Sequence, residues 1–452
     1  MVSVKDLVKY ISSGSERSKN IKRNAFGAIA IKIIAMGIQL IQVPIVLSYL
    51  EPTLYGVYLT ITSIVVWTHN FDFGLGSGLR YKLTEALAQN DLIRGRVLVS
   101  TAYISLSGIM LVVGLCLIPL VPIFNWSEIL NCKGLSNGYL SLCIITVLVT
   151  LLTQFVLELV TIVLQANQRA AISTLFKPLS NVIAVIGVLL LKYNTAQSLL
   201  SACMVLTMPL VMVLLLTNIV LFSKKYREIA PNIKFYSKDA VKDIYSLGLK
   251  FFVSSLSGIV VYNSTSIIIS HYIAPSEVTI YSIAYTYFSL FIVFHGVFLT
   301  PIWAAITDSW VKKDYKWLRT CMKKVSWLTT AFSLLIFIGL CFSEFAYHIW
   351  VGDRVTIPFT LSAWLSVYFI LNLWSATYNC FVVGVGKAQV TMYLSIFKIV
   401  AFIPILIGSI TYFGIIGVVI VTIAVNTVPN VFLGYIQYRM LINKRAKGIW
   451  NK

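Results

Sequence analysis

Lysines inside apolar segments are the residues of this chain with the clearest capacity for ligand chemistry. Lys398 follows Phe397 within a long apolar run that is expected to form a membrane-spanning helix. Its depth, roughly 15 Å from the end of that helix, makes it difficult for the side chain to reach the membrane surface. An ammonium at this depth predicts either a polar cavity that takes an anionic group or a structural ion pair.

Four further polar residues lie in apolar segments and have two readings each. Lys177, the counterpart of Lys398 in an internal repeat, and Lys32 lie nearer to a helix end. Each either lines a cavity or extends its ammonium to the membrane surface. Asn263 and Gln39 are amides suited to hydrogen-bond sugar hydroxyls, but the same groups commonly make polar contacts between helices.

Three titratable groups are candidates for ion coupling or gating. Glu158 lies deep in an apolar segment, where it could pair with a lysine or bind a proton or Na⁺. Asp72 and His295 occupy equivalent positions of the repeat, and a carboxylate can bind a cation while an imidazole can titrate near neutral pH. The alternatives are a buried structural pair for Glu158 and a polar helix end for the other two.

The sequence contains no motif of an enzyme or a metal site. Gly384-Val385-Gly386-Lys387 lacks the spacing of a phosphate-binding loop, and neither HExxH nor a nucleophile elbow occurs. The seven cysteines form no CxxC or Cys/His spacing, so no zinc site or disulfide framework is predicted. The sequence therefore predicts no cofactor, and H⁺ or Na⁺ are the candidate coupling ions.

The apolar segments predict an all-α integral membrane protein. Apolar residues make up 58% of the 452 positions and charged residues 12%, whereas a soluble domain is about a quarter charged. Runs of about 20 apolar residues are long enough to cross the hydrocarbon core, and about twelve are present. The predicted spans are 24–48, 54–72, 97–124, 138–165, 171–191, 197–222, 247–271, 278–305, 322–343, 357–383, 388–410 and 412–438.

The distribution of charge predicts that both termini are cytoplasmic. The first 23 residues are basic and have no apolar core, which indicates a cytoplasmic arm rather than a cleavable signal peptide. Basic residues then concentrate in alternate loops, and the outside loops hold only Lys133, Lys192 and Arg354. The formal charge of +20 thus reflects topology and contact with lipid headgroups, and no nucleic-acid partner is predicted.

An internal repeat divides the sequence into two similar halves with an offset of 223 residues. The matched pairs are Tyr49 with Tyr272, Pro52 with Pro275, Phe71 with Phe294, Asp91 with Asp314, and Arg96 with Arg319. An even number of spans separates matching positions, so the two copies share one orientation in the membrane. The predicted organisation is a basic arm (1–23), a six-helix lobe (24–222), a cytoplasmic linker loop (223–246), a second six-helix lobe (247–440) and a cytoplasmic tail (441–452).

Two motifs resemble the polysaccharide exporter family, in particular Wzx-type O-antigen flippases of the MOP superfamily. The first, Leu50–Tyr58, follows the first span and contains a Tyr-Gly-x-Tyr pattern; the second, Phe71–Arg80, has alternating glycines between an aspartate and an arginine. The family's usual Leu-Gly-Pro is Leu-Glu-Pro here. The resemblance implies a MATE-like fold of about twelve helices, in two six-helix lobes related by a parallel repeat.

The same resemblance implies a function. The expected protein is a flippase that moves an oligosaccharide linked to undecaprenyl diphosphate across the bacterial inner membrane, from the cytoplasmic to the periplasmic face, by alternating access. Lys398 and Lys177 would contact the diphosphate, with lesser roles for Lys32 and Arg80. A polysaccharide polymerase and a chain-length regulator are the implied protein partners.

Three other functions are weighed against this one. An ion-coupled MATE-like exporter of small molecules would need an acidic, apolar cavity, which the excess of lysines over carboxylates in the spans disfavours. A membrane-embedded O-antigen polymerase or glycosyltransferase would need a large outside loop with catalytic groups. A flippase of peptidoglycan precursors typically has two additional helices, which this sequence does not predict.

Overall fold

The computed structural model describes residues 16–66, 75–132, 134–167, 169–387 and 389–451, and within these ranges all regular structure is helical. In the same ranges, nine helical stretches are long and apolar enough to cross a membrane, and Pro52–Val66 is a shorter apolar helix. The stretch Gln389–Ile442 is 54 residues long and contains two of the predicted spans. The prediction of an all-α, multi-pass membrane protein with about twelve helices is confirmed.

Helices α1 to α8 form the first half of the chain. The span predicted over 138–165 is one continuous stretch, Asn137–Ala166, with a tightened turn at Glu158, where the Thr161 N–H donates a hydrogen bond of 2.9 Å to the Glu158 carbonyl. The bounds are α1 (Glu16–Tyr49), α2 (Pro52–Val66), α3 (Leu75–Ala88), α4 (Leu92–Leu120), α5 (Asn137–Leu157), α6 (Leu159–Ala166), α7 (Phe176–Asn194) and α8 (Leu199–Ser223), with single turns at Trp126–Ile129 and Ala170–Ser173.

Helix α3 lies within 73–96, which the sequence predicted to be a basic cytoplasmic loop between the spans 54–72 and 97–124. Its apolar residues Leu75, Leu79, Leu83 and Ala86 are at most 1% exposed, whereas Arg80 is exposed. This spacing places the four apolar side chains on one face of a helix. The loop prediction was wrong because it weighed the charges of the segment rather than their periodicity.

Helices α9 to α15 form the second half. The last of them follows a backbone break at Gly414, with φ 56° and ψ −141°, and a π-helical segment at Thr422–Thr427. The bounds are α9 (Lys238–Tyr272), α10 (Pro275–Val311), α11 (Tyr315–Cys341), α12 (Ser343–Val351), α13 (Phe359–Val385), α14 (Gln389–Val421) and α15 (Val428–Ile442).

The internal repeat extends to the caps of equivalent helices. Asp91 begins α4 and Asp314 begins α11, and each carboxylate accepts a hydrogen bond of 2.9 Å from the backbone N–H three residues later. The residue before each cap, Asn90 or Lys313, has a positive φ of 57° or 58°. A capping carboxylate satisfies one of the unpaired N–H groups of a helix start, so both copies use the same local device.

A reciprocal contact joins equivalent positions of α2 and α10. Gly56 lies so close to Pro275 that an added Cβ would stand 1.7 Å from the Pro275 carbonyl oxygen. In the other direction, the Thr279 hydroxyl donates a hydrogen bond of 2.6 Å to the Pro52 carbonyl. Pro275 and Thr279 are the repeat counterparts of Pro52 and Gly56.

The contacts within the chain define two compact units. Unit 1 comprises Met1–Leu50, Val65–Asn125 and Leu135–Phe252, and unit 2 comprises Glu51–Ile64, Trp126–Gly134 and Val253–Lys452. The α2–α10 contact therefore lies within unit 2. A buried apolar core of unit 2 packs α10, α11, α13 and α15 together and includes Ile306, Leu318, Met322, Phe381, Val382 and Leu441.

Candidate functional site

Lys398 lines a cavity of about 320 Å³ within unit 2, hereafter the lysine cavity. Its side chains come from α9, α13, α14, α15 and the π-helical segment. Most of the residues that line the cavity have polar side chains, which can hydrogen-bond a ligand. They are Asn372, Ser375, Asn379, Thr391, Ser395, Lys398, Asn426, Thr427, Asn430 and Gln437.

The positive charge of Lys398 has no acidic counterpart in the described lining of the cavity. Lys398 is 5% exposed, and its Nζ donates a hydrogen bond of 3.0 Å to Oδ1 of Asn430, which is a neutral acceptor. An ammonium has three N–H donors, and Asn430 accepts one of them. The described residues that line the cavity include no Asp or Glu. The cavity therefore presents a single positive charge with donors available to an anionic group.

Helical spacing explains why these polar side chains meet. Thr391, Ser395 and Lys398 are separated by four and three residues, which puts them on one face of α14. Asn430 and Gln437 are seven residues apart on α15, as are two of the α13 amides, so each pair also shares a face. Three amphipathic faces thus converge on the cavity.

One end of the lysine cavity is tied to the C-terminal segment. Gln437 is 1% exposed, and its Nε2 donates hydrogen bonds of 2.7 Å to the Lys387 carbonyl and 3.3 Å to the Trp450 carbonyl. The Lys387 ammonium in turn donates to the Asn451 carbonyl at 2.8 Å. Gln437 thereby holds the segment after α15 against the start of α14.

A second cavity of about 230 Å³ lies within unit 2 and is called here the tyrosine cavity. Tyr262, Tyr281, Tyr285 and Tyr368 contribute its aromatic lining. The predicted residue Asn263 lies here rather than with Lys398. The remaining lining consists of Leu59, Thr62, Ser63, Val261, Thr265, Ser266, Ser282 and Thr422.

A hydrogen-bonded wall separates the two cavities. Tyr262 lines both of them, and its hydroxyl lies 3.4 Å from the hydroxyl of Tyr368. Asn372, which lines the lysine cavity, donates a hydrogen bond of 3.1 Å to the same Tyr368 hydroxyl. The cavities are therefore neighbours that share one aromatic side chain.

The other predicted substrate-binding residues belong to unit 1. Lys32 and Gln39 are exposed on α1, Arg80 is exposed on α3, and Lys177 is exposed near the start of α7. The structure thus brings Lys398 and Asn263 into adjoining cavities and leaves these four residues outside both linings.

The predicted coupling residues have different surroundings. Glu158 is half-buried at the tightened turn between α5 and α6, accepts a hydrogen bond from the Gln154 side chain and interacts electrostatically with Lys177. Asp72 lies outside the described residues. Groups of three or more His, Cys, Asp or Glu suited to a metal ion do not occur in the described part of the chain.

His295 is fully buried and links three helices. Its Nε2 lies 3.1 Å from the Thr329 hydroxyl, which lies 2.7 Å from the Thr377 hydroxyl. The Thr329 hydroxyl also lies 2.9 Å from the Val325 carbonyl, so the imidazole and the two hydroxyls form one buried hydrogen-bonded cluster. His295 is not among the residues that line the lysine or tyrosine cavity.

Apart from Asn263, the amides and tyrosines of the two cavities were not predicted from the sequence. A signal did exist: polar residues at intervals of three, four or seven within the apolar runs of α13, α14 and α15. It would have identified Asn372, Asn379 and Asn430 beside Lys398. The tyrosines carried no comparable signal, because aromatic residues are common in membrane helices.

Comparison with known proteins is consistent with this architecture. A family model described as polysaccharide biosynthesis protein matches residues 21–306. A Salmonella typhimurium protein provisionally named an O-antigen transporter is 24% identical over 434 residues, which cover 91% of this chain and 95% of that protein. A Yersinia pseudotuberculosis protein provisionally named an O-antigen export protein is 20% identical over 393 residues, covering 85% and 86%.

Solved structures of MATE transporters share the fold. An inward-facing multidrug resistance transporter of the MATE family and MOP superfamily has a TM-score of 0.77 at 16% identity, covering 93% of this chain and 98% of that one. A MATE transporter in complex with MaD3S has a TM-score of 0.63 at 17% identity, covering 96% and 98%. The family model matches more than half of the chain, and the fold agrees with the resemblance found in the motifs. The chain belongs to the polysaccharide biosynthesis protein family, and its fold is that of the solved MATE transporters.

Proposed function

We propose that this protein is a flippase. It moves an oligosaccharide linked to undecaprenyl diphosphate from the cytoplasmic to the periplasmic face of the bacterial inner membrane, by alternating access. The names of the two relatives and the MATE-like fold support a transporter rather than an enzyme. The lipid-linked substrate is the finer part of the proposal, and it is argued from the lysine cavity.

The observation that carries the proposal is a buried ammonium in a cavity whose described lining contains no carboxylate. Removing a charge from water is costly unless an opposite charge or several hydrogen bonds compensate it. Lys398 has one neutral acceptor, Asn430, at 3.0 Å. A diphosphate supplies the missing negative charge and several acceptor oxygens, and charge-assisted hydrogen bonds to it are short and strong.

The charge of the cavity also separates this function from drug export. A cationic drug would meet the Lys398 ammonium with no described carboxylate in the lining to attract it. Repulsion between like charges disfavours such a ligand, whereas an anionic headgroup is favoured. In this chain, the cavity within the MATE-like fold is therefore suited to an anionic ligand rather than to a cationic drug.

The remaining predicted residues have roles in the same proposal. Lys177, Lys32, Arg80 and Gln39 are exposed in unit 1 and are proposed to contact the headgroup or its sugars at other stages of the cycle. Cytoplasmic termini are part of the proposal, since the basic arm and tail favour that side. A polysaccharide polymerase would consume the product on the far side.

Glu158, Asp72 and His295 are proposed as the groups for H⁺ or Na⁺ coupling. His295 has the most specific environment, since its imidazole bridges to Thr329 and Thr377 and ties three helices together. Protonation of the second ring nitrogen would change the charge inside this bundle. Transport into vesicles with and without imposed proton and Na⁺ gradients tests the idea, and equal rates would remove all three residues from a coupling role.

The flippase proposal is tested in proteoliposomes with a fluorescent prenyl diphosphate that carries a short glycan. Translocation is measured as protection of the label from a membrane-impermeant quencher. We expect Lys398→Gln to lower the rate at least tenfold, while Lys192→Gln, an exposed lysine at the end of α7, leaves it unchanged. Native rates in Lys398→Gln protein of normal expression and stability would contradict the proposal.

A further inference from the structure

We infer that the tyrosine cavity is a subsite for one uncharged sugar ring, separate from the subsite for the anionic group at Lys398. This inference rests on the proposed function and makes it more specific. It assigns the two parts of one headgroup to two adjoining cavities of unit 2. The sugar attached next to the diphosphate would then be a neutral hexose or N-acetylhexosamine rather than an acidic sugar.

The aromatic lining is a cluster of four tyrosines whose rings contact one another. Tyr281 and Tyr285 lie one helical turn apart on α10, with ring centroids separated by 5.8 Å and planes inclined by 30°. The ring centroids of Tyr285 and Tyr368 are 6.2 Å apart, with planes inclined by 34°. Tyr262 contacts Tyr285 edge-on, at a centroid distance of 6.4 Å and an interplanar angle of 74°. These rings pack against one another and also border the cavity, where their apolar carbon atoms offer a surface against which the C–H face of a pyranose can pack.

Polar groups of the cavity suit a hydroxylated ligand. Asn263, Ser266 and Ser282 supply amide and hydroxyl groups, which donate to and accept from sugar hydroxyls. The described lining contains no Lys, Arg, Asp or Glu. Ligand sites typically combine an apolar surface with a few polar groups that fix orientation, and this lining has that composition. An acidic sugar would bring a charge into the cavity without a partner, which is unfavourable.

The tyrosine cavity has a volume of about 230 Å³, which can take one sugar ring, and because the cavity is open, further sugars would extend beyond it. Tyr262 is 46% exposed and Tyr281 and Tyr285 are half-buried, so these three rings are accessible at the cavity. Tyr368 is 1% exposed and forms the buried part of the lining.

The two cavities adjoin at Tyr262, which lines both of them. Asn372 lines the lysine cavity and donates a hydrogen bond of 3.1 Å to the hydroxyl of Tyr368, which lines the tyrosine cavity. A glycosyl diphosphate carries its charged group next to its first sugar, and the adjoining cavities offer a cation and an uncharged lining in the same order.

The experiment compares two probes on the purified full-length protein in nanodiscs. One probe is undecaprenyl diphosphate, and the other is the same lipid with a single neutral N-acetylhexosamine. We expect Tyr281→Leu to weaken binding of the sugar-bearing probe about tenfold and to leave the sugar-free probe unchanged. Lys398→Gln is expected to weaken both probes. Tyr412→Leu is the matched control, because Tyr412 is 86% exposed and lies outside both linings.

A second variant protects the test from a failure of Tyr281→Leu to fold. Ser282→Leu keeps every tyrosine but fills part of the cavity with a larger side chain. It should therefore also weaken binding of the sugar-bearing probe alone. If both variants bind the two probes as native protein does, or weaken both probes equally, the sugar subsite is refuted while the Lys398 dependence still supports the flippase. If native protein binds neither probe, the proposed function itself fails.

Discussion

Asn430 is a neutral partner of Lys398, so the charge of the ammonium is available to an anionic ligand. Replacing Asn430 with aspartate tests whether that charge contributes to ligand affinity. Asn430→Asp changes the amide into a carboxylate of nearly the same size, with an oxygen about 3.0 Å from Nζ of Lys398. The described cavity lining then carries a charge of zero instead of +1. At that distance and an effective dielectric constant of about 20, the attraction is on the order of 5 kcal/mol before desolvation.

The new carboxylate competes with the ligand for the same ammonium. A charge-assisted hydrogen bond contributes about 1.5–3 kcal/mol, and about 1.4 kcal/mol corresponds to a factor of ten in affinity. We therefore expect the affinity for undecaprenyl diphosphate in nanodiscs to fall between about tenfold and a hundredfold. The midpoint of thermal unfolding should stay the same or rise, because a buried ammonium gains a counter-charge.

The control for this variant adds the same charge outside the cavity. Asn443 follows α15, and its side chain accepts a hydrogen bond from Arg319, so Asn443→Asp places a carboxylate beside a different cation. Calorimetric titration should give native affinity for Asn443→Asp. Equal or tighter binding by Asn430→Asp would refute the argument that the free charge of Lys398 recruits the substrate.

Three further predictions concern the framework around the site. Gly56→Ala should lower the unfolding midpoint of the detergent-purified protein by the equivalent of about 1–3 kcal/mol or more, because its Cβ would meet the Pro275 carbonyl at 1.7 Å. Asp314→Ala should cost about 1 kcal/mol in chemical denaturation, since the start of α11 loses its cap. Gln437→Leu leaves the Trp450 carbonyl without its donor, and limited proteolysis should cleave the C-terminal segment faster.

Each framework prediction has a defined contrary result. Gly37 has no atom within 4 Å of an added Cβ, so Gly37→Ala is the control for Gly56→Ala, and equal midpoints for the two would contradict the close contact. Asp91→Ala should match the loss at Asp314 if the caps are equivalent. Unchanged protease sensitivity after Gln437→Leu would show that this amide does not hold the C-terminal segment.

Those parts of the fold that depend on local pattern were predictable. The length of the apolar runs indicated the spans, and the register of the repeat anticipated that Tyr49 and Tyr272 would end equivalent helices. Lys398 was identifiable for a similar reason, because a charge deep in an apolar run is costly wherever the run packs. In contrast, the amphipathic helix α3 was not predicted, because its charged residues indicated a loop.

The content of the site depended on distant contacts. Tyr262, Tyr281 and Tyr368 lie on three different helices, and no local pattern states which helices become neighbours. The amide partner of Lys398 also lies 32 residues away, across a backbone break and a π-helical segment. Residues of this kind are ambiguous in the sequence because the same amide can join helices or face a ligand.

The reciprocal contact between α2 and α10 has a consequence for the origin of the chain. Two equivalent pairs, Pro52 with Thr279 and Gly56 with Pro275, meet in exchanged roles. Identical subunits related by a two-fold axis make isologous contacts of this type. In a dimer of one repeated sequence, a single residue type would have to serve as both the close-approach glycine and the hydroxyl donor. A chain that carries two copies can instead have Gly56 in one half and Thr279 in the other.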